Sequence, residues 1–441
     1  MDRPLTSDEL RVRTLGEPRF ASPLDLPTEA PEATGSFVPE GTRVRYSVEV
    51  EPGEDGASDP DPVLMEKAGP RRRIFFDPAA TTAAIVTCGG LCPGTNTVIR
   101  SLFYELHHRY GVRRVLGVRH GFRGLTPGGE PPIEMAPAVV RNIQAFGGTV
   151  LGSSRGHQDP AAMVDALERH GVGVLFAIGG DGTQRGAHAI AEEALRRGLA
   201  LGVVGVPKTI DNDIPFVYRS FGFSTALDKA REVIQGAHTE ALGAPRGVGL
   251  VKLMGRHAGF IAAGAALASQ EVNFVLIPEV PFDLEGERGF LGVLERRLDD
   301  RGHAVVVVAE GAGQHLFGDR PIERDASENL KLHDIGPFLR RQIEEHFTRR
   351  RKEVHVKYFD PSYLVRSVPA TSDDRLHCDA LARHAAHAGM AGKTDVMVGV
   401  WHNVYIHVPI PAVNGRTKRL SPQGGVWIAV LEATGQPRRF G

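Results

Sequence analysis

The chain has 441 residues, of which 41% are hydrophobic and 24% charged, and its formal net charge is −1. That length implies two or three domains with ample cores, and the near-neutral balance excludes a global basic field for nucleic acid or an anionic membrane. No run reaches the roughly 18 apolar residues needed to span a bilayer, Met1-Asp2-Arg3-Pro4 followed by Asp8 and Glu9 lacks an apolar signal core, and three cysteines cannot build a disulfide framework.

A cytoplasmic protein is therefore expected. Met1 to about Ala80 is rich in Pro, Gly and acidic residues and reads as an N-terminal extension, with a strand over Thr42–Val50. Residues 81–244 read as an α/β domain. Ala83 to Cys88 is an apolar strand; Gly89-Gly90-Leu91-Cys92-Pro93-Gly94-Thr95-Asn96 follows, then a helix from about Thr97 to Tyr110, ending at Gly111. The loop fits neither GxxxxGK[ST] nor GxGxxG, and no acidic residue closes the next strand at Val115–Val118. A P-loop is excluded, and a dinucleotide-binding Rossmann unit is disfavoured.

Val174–Ile178 is a short apolar run suited to a strand buried on both faces. Gly179-Gly180-Asp181-Gly182-Thr183 turns the chain. Gln184 to Arg197 then carries Ala187, Ile190, Ala191, Ala194 and Leu195 on one helical stripe, with Gly198 as its C-terminal cap. Leu201–Val206 is the next strand, and Pro207-Lys208-Thr209-Ile210-Asp211-Asn212-Asp213 follows it. A strand–helix–strand unit implies a parallel sheet with both loops on its carboxyl edge, where open α/β sheets bind ligands. Residues 245–441 read as a second α/β domain, with strands at Val248–Leu253, Phe274–Ile277 and Val305–Ala309.

The two loops together carry the chemistry. Glycines let backbone N–H groups approach phosphate oxygens, and a helix start adds its positive dipole end. Asp181 suits Mg²⁺, which prefers hard oxygen ligands. A plain glycine turn with a capping Asp would look the same; the acidic loop one strand later decides for a phosphate cradle beside a base, the parts required for phosphoryl transfer to an alcohol.

TCGGLCPGTNTVIR from Thr87, GSSRG from Gly152, AIGGDGTQRGA from Ala177, PKTIDNDI from Pro207, GFSTAL from Gly222, VKLMGRHAGFIA from Val251, FVLIPE from Phe274, VVVVAEG from Val305 and DPSYLVRSVPA from Asp360 resemble, in order, the segments of the 6-phosphofructokinases. The resemblance covers roughly Ala83 to Trp401 and points to the ATP-dependent branch related to pyrophosphate-using enzymes. It implies two parallel-sheet, three-layer α/β lobes with the active site between them: 81–244 binding nucleotide, 245–441 binding sugar phosphate, the chain crossing back between lobes. It implies fructose 6-phosphate and ATP as substrates, Mg²⁺ as cofactor, a homo-oligomer (dimer or tetramer) under allosteric control, and no nucleic-acid or membrane partner.

By the same resemblance Asp211 is the base for the sugar hydroxyl, Thr209 binds the transferred group or sugar, and Asp213 is the second acid. Gly90, Arg155, Gly180, Asp181, Gly182, Thr183, Gln184 and Lys208 meet the donor, with Asp181 at the metal. Ile210, Met254, Gly255, Arg256, Glu310, Tyr363 and Arg366 meet the sugar phosphate, and Arg256 also acts in transfer. Arg375 stays open between a further phosphate ligand and a surface charge.

Pyrophosphate-dependent relatives carry Asp at Gly182 and Lys at Lys208; many bacterial ATP enzymes carry Gly at both. An Asp at 182 would fill the space for an α-phosphate and repel it, so Gly182 favours ATP, while Lys208 suits either donor. A pyrophosphate-dependent enzyme is the alternative. GGDGT also occurs in NAD and lipid kinases, which lack the MGR and TIDND segments; a non-catalytic regulatory subunit is disfavoured by the intact Asp181 and Asp211. Cys88, Cys92 and Cys378 read as packing residues, His384 and His387 as a packed or surface pair, and Arg349-Arg350-Arg351-Lys352 as a solvated helix end.

Overall fold

The computed structural model of the chain describes residues 6–27, 36–49, 62–318 and 332–441. These fall into two units of interleaved segments. The first takes its described residues from 1–209, 214–221 and 369–416, the second from 210–213, 222–368 and 417–441. The expected division between Ala244 and Pro245 does not coincide with them.

In the first unit the apolar runs become strands Thr82–Thr87, Val172–Gly179 and Gly202–Pro207. They pair in parallel, with Arg114–Val118 beyond the first and Val396–Trp401 beyond the last. Helices Pro160–Arg169 and Asp181–Arg196 cover one face, setting Met163, Leu167, Ala187 and Ile190 against Ala84, Leu175, Ala177 and Val203. Helix Ser372–Met390 covers the other, so closely that a Cβ at Gly389 would crowd Val174 and Phe176. Burial from both sides is why these strands read as unbroken hydrophobic runs.

Among the described residues the full sheet has nine strands, its parallel centre as expected and its ends antiparallel. Val404–Pro409, Leu64–Lys67 and Arg43–Arg45 add antiparallel at one end, Ile133–Glu134 at the other. Antiparallel pairing needs no crossover helix, and Val404–Pro409 follows Val396–Trp401 after only two residues. The strand expected over Thr42–Val50 is confined to Arg43–Arg45, and Val50 lies outside the described residues. The extension is anchored further by Arg13–Thr14 against Lys393–Thr394. Glu66 is buried and accepts bonds from Lys393 at 2.9 Å and His407 at 2.8 Å. Burial opposes its charge, but the bonds from His407 and Lys393 hold the carboxyl below its ordinary range.

The second unit has a four-stranded, all-parallel sheet in the order Phe274–Leu276, His303–Ala309, Gly247–Leu253, His355–Phe359. Helices Phe290–Arg301 and Ile335–Arg349 pack Leu291, Leu294, Leu339 and Ile343 on one face. Helix Phe223–Leu242 lies on the other: Cβ atoms at Gly247 and Gly249 would meet the carbonyls of Ala241 and Ala237. That backbone-to-backbone approach binds this helix to the second unit, although in sequence it precedes Ala244. Among the described residues no helix is long and apolar enough to cross a membrane.

At Gly249 an added Cβ would stand 2.6 Å from the Ala237 carbonyl oxygen, which is backbone and has no rotamer to retreat into. Gly249→Ala is expected to lower stability by roughly 1–3 kcal/mol. Urea unfolding followed by circular dichroism measures this; an unchanged midpoint would contradict the packing.

Candidate active site

In the first unit, three glycine-bearing turns come together at the strand ends. Pro207 lies opposite Gly179 in the parallel register, and the Lys208 N–H donates to the Gly179 carbonyl at 3.0 Å. Gly89 donates its N–H to Ser154 O at 3.0 Å and accepts from Ser153 Oγ at 2.6 Å. Gly89 has φ +86°, a left-handed conformation that favours glycine. The Lys208 ammonium is buried in the same place and donates to the Gly90 carbonyl at 2.6 Å. Loops 89–90, 153–154, 179–180 and 207–208 are thus one cluster, with Arg155 exposed beside it and Thr209 partly buried after Lys208.

The helix after the second loop begins at Asp181, three residues earlier than expected. Gly180 is its extended N-cap, so Asp181, Gly182 and Thr183 form the first turn, where backbone N–H groups and the dipole favour anions. Asp181 is half exposed and pairs with Arg185 one turn on. Thr183 and Gln184, expected at the donor, are 5% and 1% exposed. Gln184 donates Nε2 to the Gly179 carbonyl at 3.0 Å and fits because Gly205 has no side chain to collide with its carbonyl end. A Cβ at Gly182 would meet only Arg185 Nη2, at 3.7 Å, so this position is open. Burial pushes the Cys88 thiol up to about 12, in keeping with a packing role.

The second unit gathers the acidic loop, the MGR loop and the turn after His303–Ala309. Asp211 accepts the Arg256 N–H at 3.3 Å. Burial first, then the charges of Asp213 and Glu310, push its carboxyl well above the ordinary range; the Arg256 N–H and charge oppose this. Asn212 lies between the two acids at φ +57°, a left-handed conformation that Asn tolerates better than most side chains. Ile210 is buried, and Asp213 and Met254 are partly so. Gly255 has φ +128° and a Cβ there would stand 2.6 Å from the Ala258 carbonyl. Its own carbonyl accepts the Gly311 N–H at 3.1 Å, and Leu253 O accepts the Glu310 N–H at 2.9 Å. Glu310 therefore sits beside Arg256; burial raises its carboxyl, while Arg256 and Lys252 oppose.

Tyr363 and Arg366 share the short helix Ser362–Ser367, the guanidinium 4.6 Å from the ring centroid. Asp360 caps that helix by accepting from Ser362. Arg375 stands in the first unit and donates Nε to the Ala370 carbonyl at 2.9 Å. Three residues escaped the sequence reading. Lys252 interrupts an apolar strand, and its ammonium bridges Asp334 and Asp360, each at 2.9 Å. Glu279 closes the FVLIPE segment but was given no role there, and Lys418 carries no local signal. Among the described residues, His188, Glu192 and Asp395 also bring ligand atoms within 4.8 Å of one another. Arg13 already reaches Glu192 at 2.5 Å and Asp395 at 3.6 Å.

A phosphofructokinase family profile matches residues 82–389. The chain belongs to the phosphofructokinase family. It is 47% identical to an ATP-dependent 6-phosphofructokinase of Borreliella burgdorferi, the match covering 97% of each chain. It is 48% identical to an ATP-dependent 6-phosphofructokinase of Amycolatopsis methanolica, over 98% of this chain and 96% of that one. In fold it is similar to a pyrophosphate-dependent phosphofructokinase from Marinobacter aquaeolei, with TM-score 0.67 at 22% identity over 80% of this chain and 91% of the other. A Pichia pastoris phosphofructokinase in the T-state gives 0.63 at 21% identity, over 81% and 37%.

Lys252→Met would leave Asp334 and Asp360 without their shared cation. Both acids are partly exposed, so the expected loss is modest, about 1–2 kcal/mol of stability. Chemical denaturation of the variant beside wild type measures it, and equal midpoints would show that the bridge is energetically idle.

Proposed function

We propose that the chain transfers the γ-phosphoryl group of ATP to the 1-hydroxyl of fructose 6-phosphate, giving fructose 1,6-bisphosphate, the committed phosphorylation of glycolysis. One observation carries the mechanism: a buried carboxyl, Asp211, held by the Arg256 N–H in a loop of acids. A base in that setting accepts a proton as the sugar oxygen attacks phosphorus. A raised carboxyl is also a stronger base than an exposed one, provided the working pH keeps it ionised.

The donor is assigned to the first unit. N–H groups of the turns at Gly90 and Gly180–Thr183 face phosphate oxygens, Arg155 grips two of them with its planar fork, and Lys208 adds a point charge. Asp181 offers an accessible carboxylate oxygen at the head of this turn, which fits Mg²⁺; when bound, the ion neutralises charge on the phosphates. Thr183 and Gln184 act by holding the turn in shape. The sugar phosphate is assigned to the second unit: Met254, Gly255 and Arg256 with Glu310 at the sugar, Tyr363 and Arg366 at the 6-phosphate, Ile210 beside the reacting hydroxyl, and Asp213 as the second acid; Thr209, in the first unit, is assigned to the transferred group. Gly182 leaves room next to the cradle, which supports ATP over pyrophosphate.

Asp211→Asn is expected to reduce kcat about 10²–10⁴-fold with little change in KM. A variant as fast as wild type under saturating substrates would refute the assignment. For wild type, kcat/KM should fall on the acid side as Asp211 gains its proton, with an apparent pKa above the usual carboxylate range. A flat profile from pH 5 to pH 8 is the contrary result. Initial rates with ATP and with pyrophosphate test the donor, and ATP should be faster. Gly182→Asp should raise the KM for ATP, since the added carboxylate meets open space and folds without a clash; an unchanged KM would count against the donor assignment.

A further inference from the structure

Within the second unit, the C-terminal stretch 417–420 is built against both loops that carry the proposed chemistry. The Lys418 N–H donates to the Asp213 carbonyl at 2.7 Å. Two residues on, the Leu420 N–H donates to Glu279 Oε1 at 2.8 Å. Glu279 also accepts the Gly259 N–H, at 3.0 and 3.1 Å, and Gly259 is the N-cap of the helix that follows the MGR loop. One carboxylate therefore ties the C-terminal stretch to the MGR segment, and one backbone bond ties it to the acidic loop.

The Lys418 side chain follows the same path. Its ammonium stands 5.1 Å from the centroid of Phe260, the first residue of that helix, a cation–π distance. It lies within electrostatic reach of Asp213. Counting charge around the acidic loop, Asp213 and Glu310 raise the Asp211 carboxyl, and Arg256 opposes. Lys252 and Arg366 act on Glu310, Arg419 on Glu279, and Asp213 on the Lys418 ammonium. Burying a lysine costs free energy unless the charge meets an opposite one, so its seat beside an acid is a specific arrangement. The incoming sugar phosphate adds further negative charge to a partly desolvated place, where unbalanced like charges are costly.

We infer that Lys418 is a positioning residue for the transfer reaction: seated beside Asp213 and over Phe260, it balances the carboxylates gathered at Asp211 and fixes the acidic loop. The inference rests on the reading of Asp211 as the base. It assigns to the C-terminal stretch a part in the chemistry that lies outside every segment on which the family resemblance was read.

The test uses the full chain with three variants, Lys418→Met, Lys418→Arg and Asp213→Asn/Lys418→Met, each assayed for kcat and for both KM values and checked for folding by circular dichroism. K418M is expected to lose at least about tenfold in kcat with both KM values within about threefold, and K418R to recover most of that loss. K418M with wild-type kcat overturns the inference, and so does K418R as slow as K418M, since charge would then be irrelevant. If K418M does not fold, the double variant decides: removing the uncompensated acid restores the fold under this inference, and a double variant that is also unfolded overturns it. Wild-type turnover of fructose 6-phosphate with ATP is read in the same assay; its absence would defeat the underlying function and is distinct from a loss confined to the Lys418 variants.

Discussion

The second unit gathers its acidic loop around one buried carboxyl, which the proposed function requires to ionise. Asp211 shares its surroundings with Asp213 and Glu310, and such a group would simply take up a proton if nothing opposed its neighbours. The opposing elements are the Arg256 N–H and guanidinium from the MGR loop, and Lys418 from the C-terminal stretch stands within electrostatic reach of Asp213. Each is carried on backbone that is itself constrained. Asn212 sits in a left-handed conformation between the acids, and Gly255 occupies a turn with no room for a Cβ. The left-handed Asn212 and the close backbone approach at Gly255 fix where these loops run.

Under the proposed function the first unit meets a different demand, that of presenting backbone N–H groups and cations to phosphate without a dedicated P-loop. Its parallel strands end together, so four short turns converge and each supplies part of the cradle. The N-terminal extension contributes by extending the sheet and by burying Glu66 with Lys393 and His407. Burial keeps His384 and His387 well below the ordinary imidazole range, the first at about 3, and His387 Nδ1 meets the Tyr110 hydroxyl at 2.9 Å. These two histidines, at helical spacing, serve as packed core residues and hold no metal-like geometry with Asp or Glu among the described residues.

Much of this was legible in the residues. Buried parallel strands announce themselves as unbroken apolar runs, and the glycine turns between them are marked by composition, so the strands Thr82–Thr87, Val172–Gly179 and Gly202–Pro207 were found to within two residues. Helix starts were less legible: Asp181–Thr183 looked like loop because glycine is a poor helix former, yet a first turn needs only its last residues to bond. The same ambiguity hid the burial of Thr183 and Gln184. Arg350 and Lys352, read as solvated charges, pair with Glu295, a partner more than fifty positions away that no local pattern could indicate.

By itself the sequence determined the local chemistry: which turns could cradle phosphate, which acid could serve as base, and that the strands between them are parallel, because these follow from residue types at short spacing. Tertiary structure alone decided which distant segments complete each unit. The return of 369–416 to the first unit, the docking of helix Phe223–Leu242 on Gly247 and Gly249, the bonds of Glu279 to Gly259 and Leu420, and the arrival of Lys252 and Lys418 beside acids are long-range pairings. Their energies come from burial and charge balance in three dimensions, and a lysine in a polar stretch carries no mark of the carboxylate it will meet.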